Sequence, residues 1–407
     1  MAGNNIQGKR LVVCSFGAIP QKKFGASVVL FYYYIQKLKD SGFNIIHLLI
    51  LEDKEECKDR LKVYCDEFEE AGKFHVLSFC PGRISKLKKK LGVSLCVLPR
   101  EIVKKINQFN PDLSFSFDIS ANTTLEKYIF CPRVCWLGDL NFQTLWYHAL
   151  YATKESFIKL FFLPVAWIVS QLSKLFYVRN LSGCSLVVVS SKSSESILSR
   201  LKIDSLYLPY PWPNEYKFCI NRKTDPKPSF LFFGNLSALG SRSALHFFLD
   251  KVYFGLIQLW GAGNFQIYLS GLLKLPKWAE KKIIDKPEIK YLGFVEDIVS
   301  LINKCHAVIV PIDVPVGNRS RIVTAMSLGA PVIAHKNTSL GNPCLVNNKT
   351  CFLGKTANDF ISCMKKVYED KQLSSSVAAN AFEEYSKSFS PDVAGDLLID
   401  EIKKIKF

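Results

Sequence analysis

Short apolar runs and glycine-bearing loops alternate with helical stretches along most of this chain. Leu11 to Phe16 is apolar, is bounded by the Gly/Pro loop Gly17 to Pro20, and reads as a buried strand. Gly25-Ala26-Ser27 opens a helix to about Lys39, stopped at Ser41-Gly42, and Asn44 to Leu51 follows as a second strand. This order predicts a doubly wound start, with ligands beyond the strand C-termini. Asp112 to Asp118, Arg133 to Leu137 and Leu186 to Ser190 read as further parallel strands, the last leading into a helix over Ser191 to Leu201.

The alternation restarts after Tyr207 to Pro228, which holds five prolines and reads as a linker. A strand over Phe230 to Phe233 runs into Gly234-Asn235-Leu236, and a helix follows from about Arg242 to Leu249. Strands are expected at Phe265 to Leu269, Ile289 to Leu292 and Ala307 to Val310, and helices at about Ala357 to Tyr368, Ser374 to Ser386 and Val393 to Lys404. The predicted class is α/β, with two Rossmann-like domains: residues 1–206, a linker 207–228, a second domain 229–385 and a C-terminal helix 386–407.

Composition adds a partner class. The formal charge of +17 implies an anionic partner: nucleic acid, an acidic membrane surface or phosphorylated substrates. A basic surface with no special partner is the plain alternative. No nucleic-acid-binding motif accompanies the charge, so no nucleic acid is expected. The 13 cysteines form no C-x-x-C pair, which fits neither a metal site nor a disulfide framework and suits a reducing cytosol. The N-terminal apolar run is too short for a signal peptide, and no apolar run was expected to reach bilayer-spanning length. Arg83, Lys86, Lys88, Lys89 and Lys90 form a dense basic patch. Phe157 to Leu172 is strongly apolar, interrupted by Lys159 and Pro164. Together these two features suit docking on anionic lipid; a buried helix and a solvated lysine face are the alternative.

The most informative stretch is Tyr291 to Gly341. An apolar strand ends in Pro311, and a loop with Gly317, Asn318, Arg319 and Arg321 follows. A helix over Ile322 to Leu328 then leads to a strand, Ala330 to Ala334, entered through Gly329 and Pro331. Strand, Gly/Arg loop and helix start make an anion site, and two guanidiniums favour a diphosphate. Solvated surface arginines are the competing reading.

Gly317-Asn318-Arg319-Ser320-Arg321-Ile322-Val323-Thr324-Ala325, then Gly329-Ala330-Pro331-Val332-Ile333, resembles the G-x-R-x-K-x-x-E-A…G-x-P-V-V pattern of GT-B glycosyltransferases of the family 4-like group (glycosyl transferases group 1). The family's Lys is Arg321 here, its Glu is Thr324, and a second acidic position is Val316, so the acidic pair is absent. The resemblance implies a GT-B fold with a cleft between an acceptor-binding first domain and a nucleotide-sugar-binding second one, and a last helix, 386–407, able to cross back to the first domain. It implies sugar transfer from a UDP- or GDP-linked donor to a glycan or lipid-linked glycan, with retention and without a metal or separate cofactor. The setting it implies is cell-surface polysaccharide or glycoconjugate synthesis at the cytoplasmic membrane face. A non-catalytic relative that binds nucleotide, glycan or a protein partner is the alternative.

The same resemblance assigns roles. Arg319 and Arg321 would stabilise the departing diphosphate, and Asp139 would hold sugar hydroxyls or orient the acceptor, unless it merely caps the next helix. Donor contacts would come from Gly25, Gly234, Asn235, Arg242, Gly317, Asn318 and Thr324, and from the backbone of Phe294 and Val295. Gly25 as a plain helix cap, and Phe294 as a packing residue in an ordinary loop, are equally open. His148 reads as a structural histidine.

Overall fold

The computed structural model describes residues 5–23, 25–53, 57–81, 96–213, 222–271 and 274–406. The basic residues Arg83, Lys86, Lys88, Lys89 and Lys90 lie outside the described residues. The chain divides into two units: residues 1–145, 165–212 and 391–407 form one, and residues 146–164 and 213–390 the other.

The first unit is built on seven parallel strands: β1 Arg10–Phe16, β2 Asn44–Ile50, β3 Phe74–Phe79, β4 Leu113–Phe117, β5 Arg133–Leu137, β6 Leu186–Val189 and β7 Leu206–Tyr207. Their order is β3-β2-β1-β4-β5-β6-β7. β1, β4 and β5 are almost completely buried, as expected of continuous apolar strands covered on both faces. The C-terminal helix Pro391–Ile402 packs on the helix Ala26–Asp40, where Lys37 Nζ pairs with Asp396 at 2.6 Å. A side chain at Gly395 would stand 2.7 Å from Lys37 Cγ, so glycine allows this approach.

The second unit repeats the plan with β8 Ser229–Phe233, β9 Gln266–Ser270, β10 Ile289–Gly293, β11 Ala307–Val310, β12 Val332–His335 and β13 Phe352–Gly354. The order is β10-β9-β8-β11-β12-β13, again all parallel. Both sheets reverse direction beside their first strand, between β1 and β4 and between β8 and β11. A doubly wound sheet opens its ligand crevice at that switch point, beyond the strand C-termini.

Three differences from the sequence reading have physical causes. First, Trp146–Pro164 groups with the second unit rather than the first. Glu155 is ion-paired with Arg242 at 2.6 Å, and Tyr151 donates to the Asp313 carboxylate. Second, the chain is already docked on the second unit by Arg222, inside the stretch read as linker. The Arg222 guanidinium donates to the carbonyls of Ile302 and Cys305. Third, the apolar segment does not end at Leu172. A 3₁₀ turn, Phe157–Phe162, runs into the helix Leu163–Leu181, and the 25 residues Phe157–Leu181 are long and apolar enough to cross a membrane by length and composition. Its lysines and its proline hid that length in the sequence.

Candidate functional site

The switch point of the second unit gathers the residues with the clearest chemistry. β8 ends at Phe233, and Gly234 follows with φ +124°, a conformation that favours glycine. β11 ends at Val310, and its loop crosses to the helix Ser320–Ser327. Arg321, in the first turn of that helix, lies over Gly234. A Cβ added at Gly234 would be 2.8 Å from Arg321 Nη2.

Three contacts fix the Arg321 guanidinium. Its Cζ stands 4.7 Å over the Phe232 ring, Nη2 donates to Ser241 Oγ at 2.9 Å, and the glycine leaves it room. Nη1 is sealed from solvent with no hydrogen-bond partner in the protein. Burial first, and the neighbouring Arg319 charge second, pull the Arg321 pKa down to about 9. At neutral pH the group stays charged, so the site holds a partly desolvated cation whose environment would be relieved by an anion.

The loop before the helix is tightly determined. Gly317 has φ +73°, and a Cβ at Gly341 would lie 2.1 Å from the Gly317 carbonyl oxygen. Asn318, between this contact and the helix, has both amide atoms buried without a hydrogen-bond partner. Buried polar atoms are nearly always satisfied, so an orphaned amide three residues before an orphaned guanidinium nitrogen makes this loop a candidate for a polar ligand. Arg319 donates to the Val316 carbonyl and packs beside Gly240, where a Cβ would be 3.3 Å from Nη1.

The structure thus brings Gly234, Gly317, Asn318, Arg319 and Arg321 to one end of one sheet. Asn235 sits in the same β8 loop, turned on itself by accepting from Ser237 N–H at 3.0 Å. Thr324 is one turn beyond Arg321, and its hydroxyl donates back to the Ser320 carbonyl at 3.0 Å. Phe294 and Val295 follow β10, whose last residue, Gly293, accepts from Gly271 N–H at 2.9 Å and Ser270 Oγ at 3.0 Å. Phe294 is half exposed, so its side chain is not a core residue.

Arg242 is committed elsewhere. It donates to Glu155 through Nε at 2.9 Å and Nη2 at 2.6 Å, and its Nη1 is 3.4 Å from His148 Nδ1. Its charge is matched within the fold, because Glu155 reaches it from a segment 87 residues earlier. His148 is held below the usual histidine pKa by burial and then by Arg242. Gly25 and Asp139 lie in the first unit. Gly25 precedes the helix Ala26–Asp40 with φ +121°, and Asp139 is exposed in the loop after β5. Tyr177 Oη accepts from the first N–H of the helix Asn141–Glu155 at 3.1 Å.

Sequence reasoning missed Phe232, Ser241 and Gly341, whose roles appear only when the β8 and β11 loops meet. It also missed Asp118 at the end of β4. Read as a strand residue, Asp118 has φ +86° and accepts from Ser120 N–H at 2.5 Å. A non-glycine residue in that region is strained, and such strain clusters at functional sites.

Residues 227–370 match the family Glycosyl transferases group 1. No curated protein matches the chain by sequence. Among solved structures, Anabaena HepE in complex with UDP and glucose is 16% identical, with 98% of this chain and 100% of that one covered at a TM-score of 0.64. HepE in complex with UDP-glucose aligns with the same identity and TM-score over 97% of this chain and 100% of that one. Sucrose-phosphate synthase from Thermosynechococcus elongatus is 12% identical, with 97% and 98% covered and a TM-score of 0.68. The chain therefore has the GT-B fold, and residues 227–370 of its second unit match the glycosyl transferases group 1 model.

Proposed function

We propose that the protein is a glycosyltransferase. It moves a sugar from a nucleotide-sugar donor to a hydroxyl of a glycan or lipid-linked glycan, with retention, in cell-surface polysaccharide or glycoconjugate synthesis. The observation that carries this reading is the Arg321 guanidinium, buried over Phe232 and Gly234 with Nη1 unmatched. Charge develops on the departing nucleoside diphosphate as the glycosidic bond breaks. A fixed cation in a partly dry site stabilises that charge without reorganising, which is why this reading needs no metal and no separate cofactor. Asn318 and the backbone around Gly234 would hold the remaining phosphate oxygens. The solved complexes of HepE with UDP and with UDP-glucose favour a UDP-linked donor over a GDP-linked one. Asp139, on the first unit, is the candidate for holding sugar hydroxyls or orienting the acceptor, and Gly25 there leaves room for the donor phosphates or the acceptor. The site of action in this reading is the cytoplasmic face of a membrane.

Release of UDP from UDP-sugars by the purified protein, with and without glycan acceptors, tests the activity. Thr324→Glu restores the carboxylate of the family pattern at a half-buried position of the helix Ser320–Ser327. If that position faces the ribose, UDP affinity should rise by about tenfold, the scale of one charge-assisted hydrogen bond. Calorimetry would show it, and an unchanged affinity would remove Thr324 from the ribose site.

A second reading has a specific observation behind it. Thr324 back-bonds its own helix and Val316 is a buried aliphatic residue, where the family pattern has two carboxylates. A binding-only relative would hold UDP and release nothing from UDP-sugars.

A further inference from the structure

The helix Leu163–Leu181 is built inside out. The face packed into the first unit is largely polar: Ser170, Ser173 and Tyr177 are buried, with Leu181 beside them. Ser170 Oγ donates to the Phe142 carbonyl at 2.7 Å, Tyr177 Oη accepts from Asn141 N–H, and the Asn180 carbonyl accepts from Asn122 Nδ2 at 3.1 Å. The outward face is apolar. Val165, Ile168, Leu172 and Leu175 recur at steps of three, four and three residues, which is one stripe along a helix. They are 59%, 51%, 55% and 64% exposed. Trp167, on the same helix, is equally open. A contiguous apolar face of this size on a water-soluble fold marks an interaction surface.

Charge selects the partner. Across the helix Leu163–Leu181 the ionisable side chains other than Tyr177 are Lys174 and Arg179, both cationic, on a chain of net charge +17. A symmetric pairing of two copies would set like-charged faces against each other. An anionic bilayer offers apolar depth for the stripe and negative headgroups for its cations, and places Trp167 at the interface it favours. Crossing the bilayer would pull Ser173 and Tyr177 out of the first unit's core, so the helix must lie in the plane of the surface.

We propose that the outward face of the helix Leu163–Leu181 docks in-plane on an anionic lipid surface. This surface stands on the helix alone and not on the donor site.

The test is co-sedimentation of the full chain with vesicles of phosphatidylcholine and phosphatidylglycerol, and with phosphatidylcholine alone. The wild type should sediment with the anionic vesicles and less with the neutral ones. Ile168→Ser/Leu172→Ser/Leu175→Ser should lower partitioning by at least about tenfold, because it removes three of the four stripe residues. The substituted positions are exposed, so thermal unfolding and UDP binding should be unchanged, which separates this proposal from the donor reading. Brominated lipid should quench fluorescence in the wild type and less in Trp167→Phe. A wild type left in the supernatant, or a triple variant that sediments equally, would overturn the proposal. So would a wild-type dimer that the triple variant dissolves while neither binds vesicles; a second copy would then cover the face.

Discussion

Arg321→Ala is expected to cut turnover of the nucleotide-sugar donor by two to three orders of magnitude, about 2.7–4 kcal/mol of barrier, if its guanidinium acts as a preorganised donor to the leaving diphosphate. The expectation rests on geometry that leaves the side chain little freedom. Phe232 supports it from below, Ser241 takes one nitrogen, Gly234 gives it room, and Nη1 remains to meet an oxygen. UDP affinity should fall as well, since the charge is present in the ground state. Turnover should fall further than affinity if the interaction strengthens as negative charge grows on the leaving group. Arg321→Lys keeps the charge but loses the planar stack and the fixed fork, so it should lie between wild type and alanine. A folded Arg321→Ala protein with wild-type turnover would take this residue out of the chemistry.

Gly341→Ala should disable the same site from the other side of the loop. Its Cβ would have to share space with the Gly317 carbonyl oxygen, 2.1 Å away, and with the carbonyl carbon at 2.9 Å. Both are backbone atoms, so no rotamer change relieves the clash, and Gly317–Asn318 must shift. Overpacking of this kind costs about 1–3 kcal/mol, which for a unit of this size lowers Tm by about 2–4 °C per kcal/mol. UDP affinity should fall with it, because Asn318 moves off its position. A lowered Tm with unchanged UDP affinity would show that the Gly317–Asn318 loop does not touch the nucleotide.

Much of this site was legible in the chain before its fold was known. β8, the Gly234 loop, β11 and the Gly/Arg loop are local features, each defined by an apolar run and the glycine that ends it. What stayed hidden was who meets whom. Ser241 and Phe232 matter because β8 and β11 are neighbours, and that adjacency is set by the sheet order rather than by any nearby residue. Arg242 reads as a donor contact for the same reason: nothing local shows that Glu155 is hydrogen-bonded to it. The edge strand β13, three residues long, carries too few residues to impose a pattern on the sequence. The helix Leu163–Leu181 defeats pattern reading by inversion, since its serines face inward and its aliphatic residues outward.

The central claim is that the second unit binds a nucleoside diphosphate at the end of β8 and β11, through Arg321. Isothermal titration calorimetry of UDP, GDP and ADP into the wild type and into Arg321→Ala tests it most directly. Saturable binding of one diphosphate, UDP first, weakened by at least about tenfold in Arg321→Ala, is the predicted result. Absence of binding by all three to the folded wild type, or binding that Arg321→Ala leaves unchanged, would contradict it.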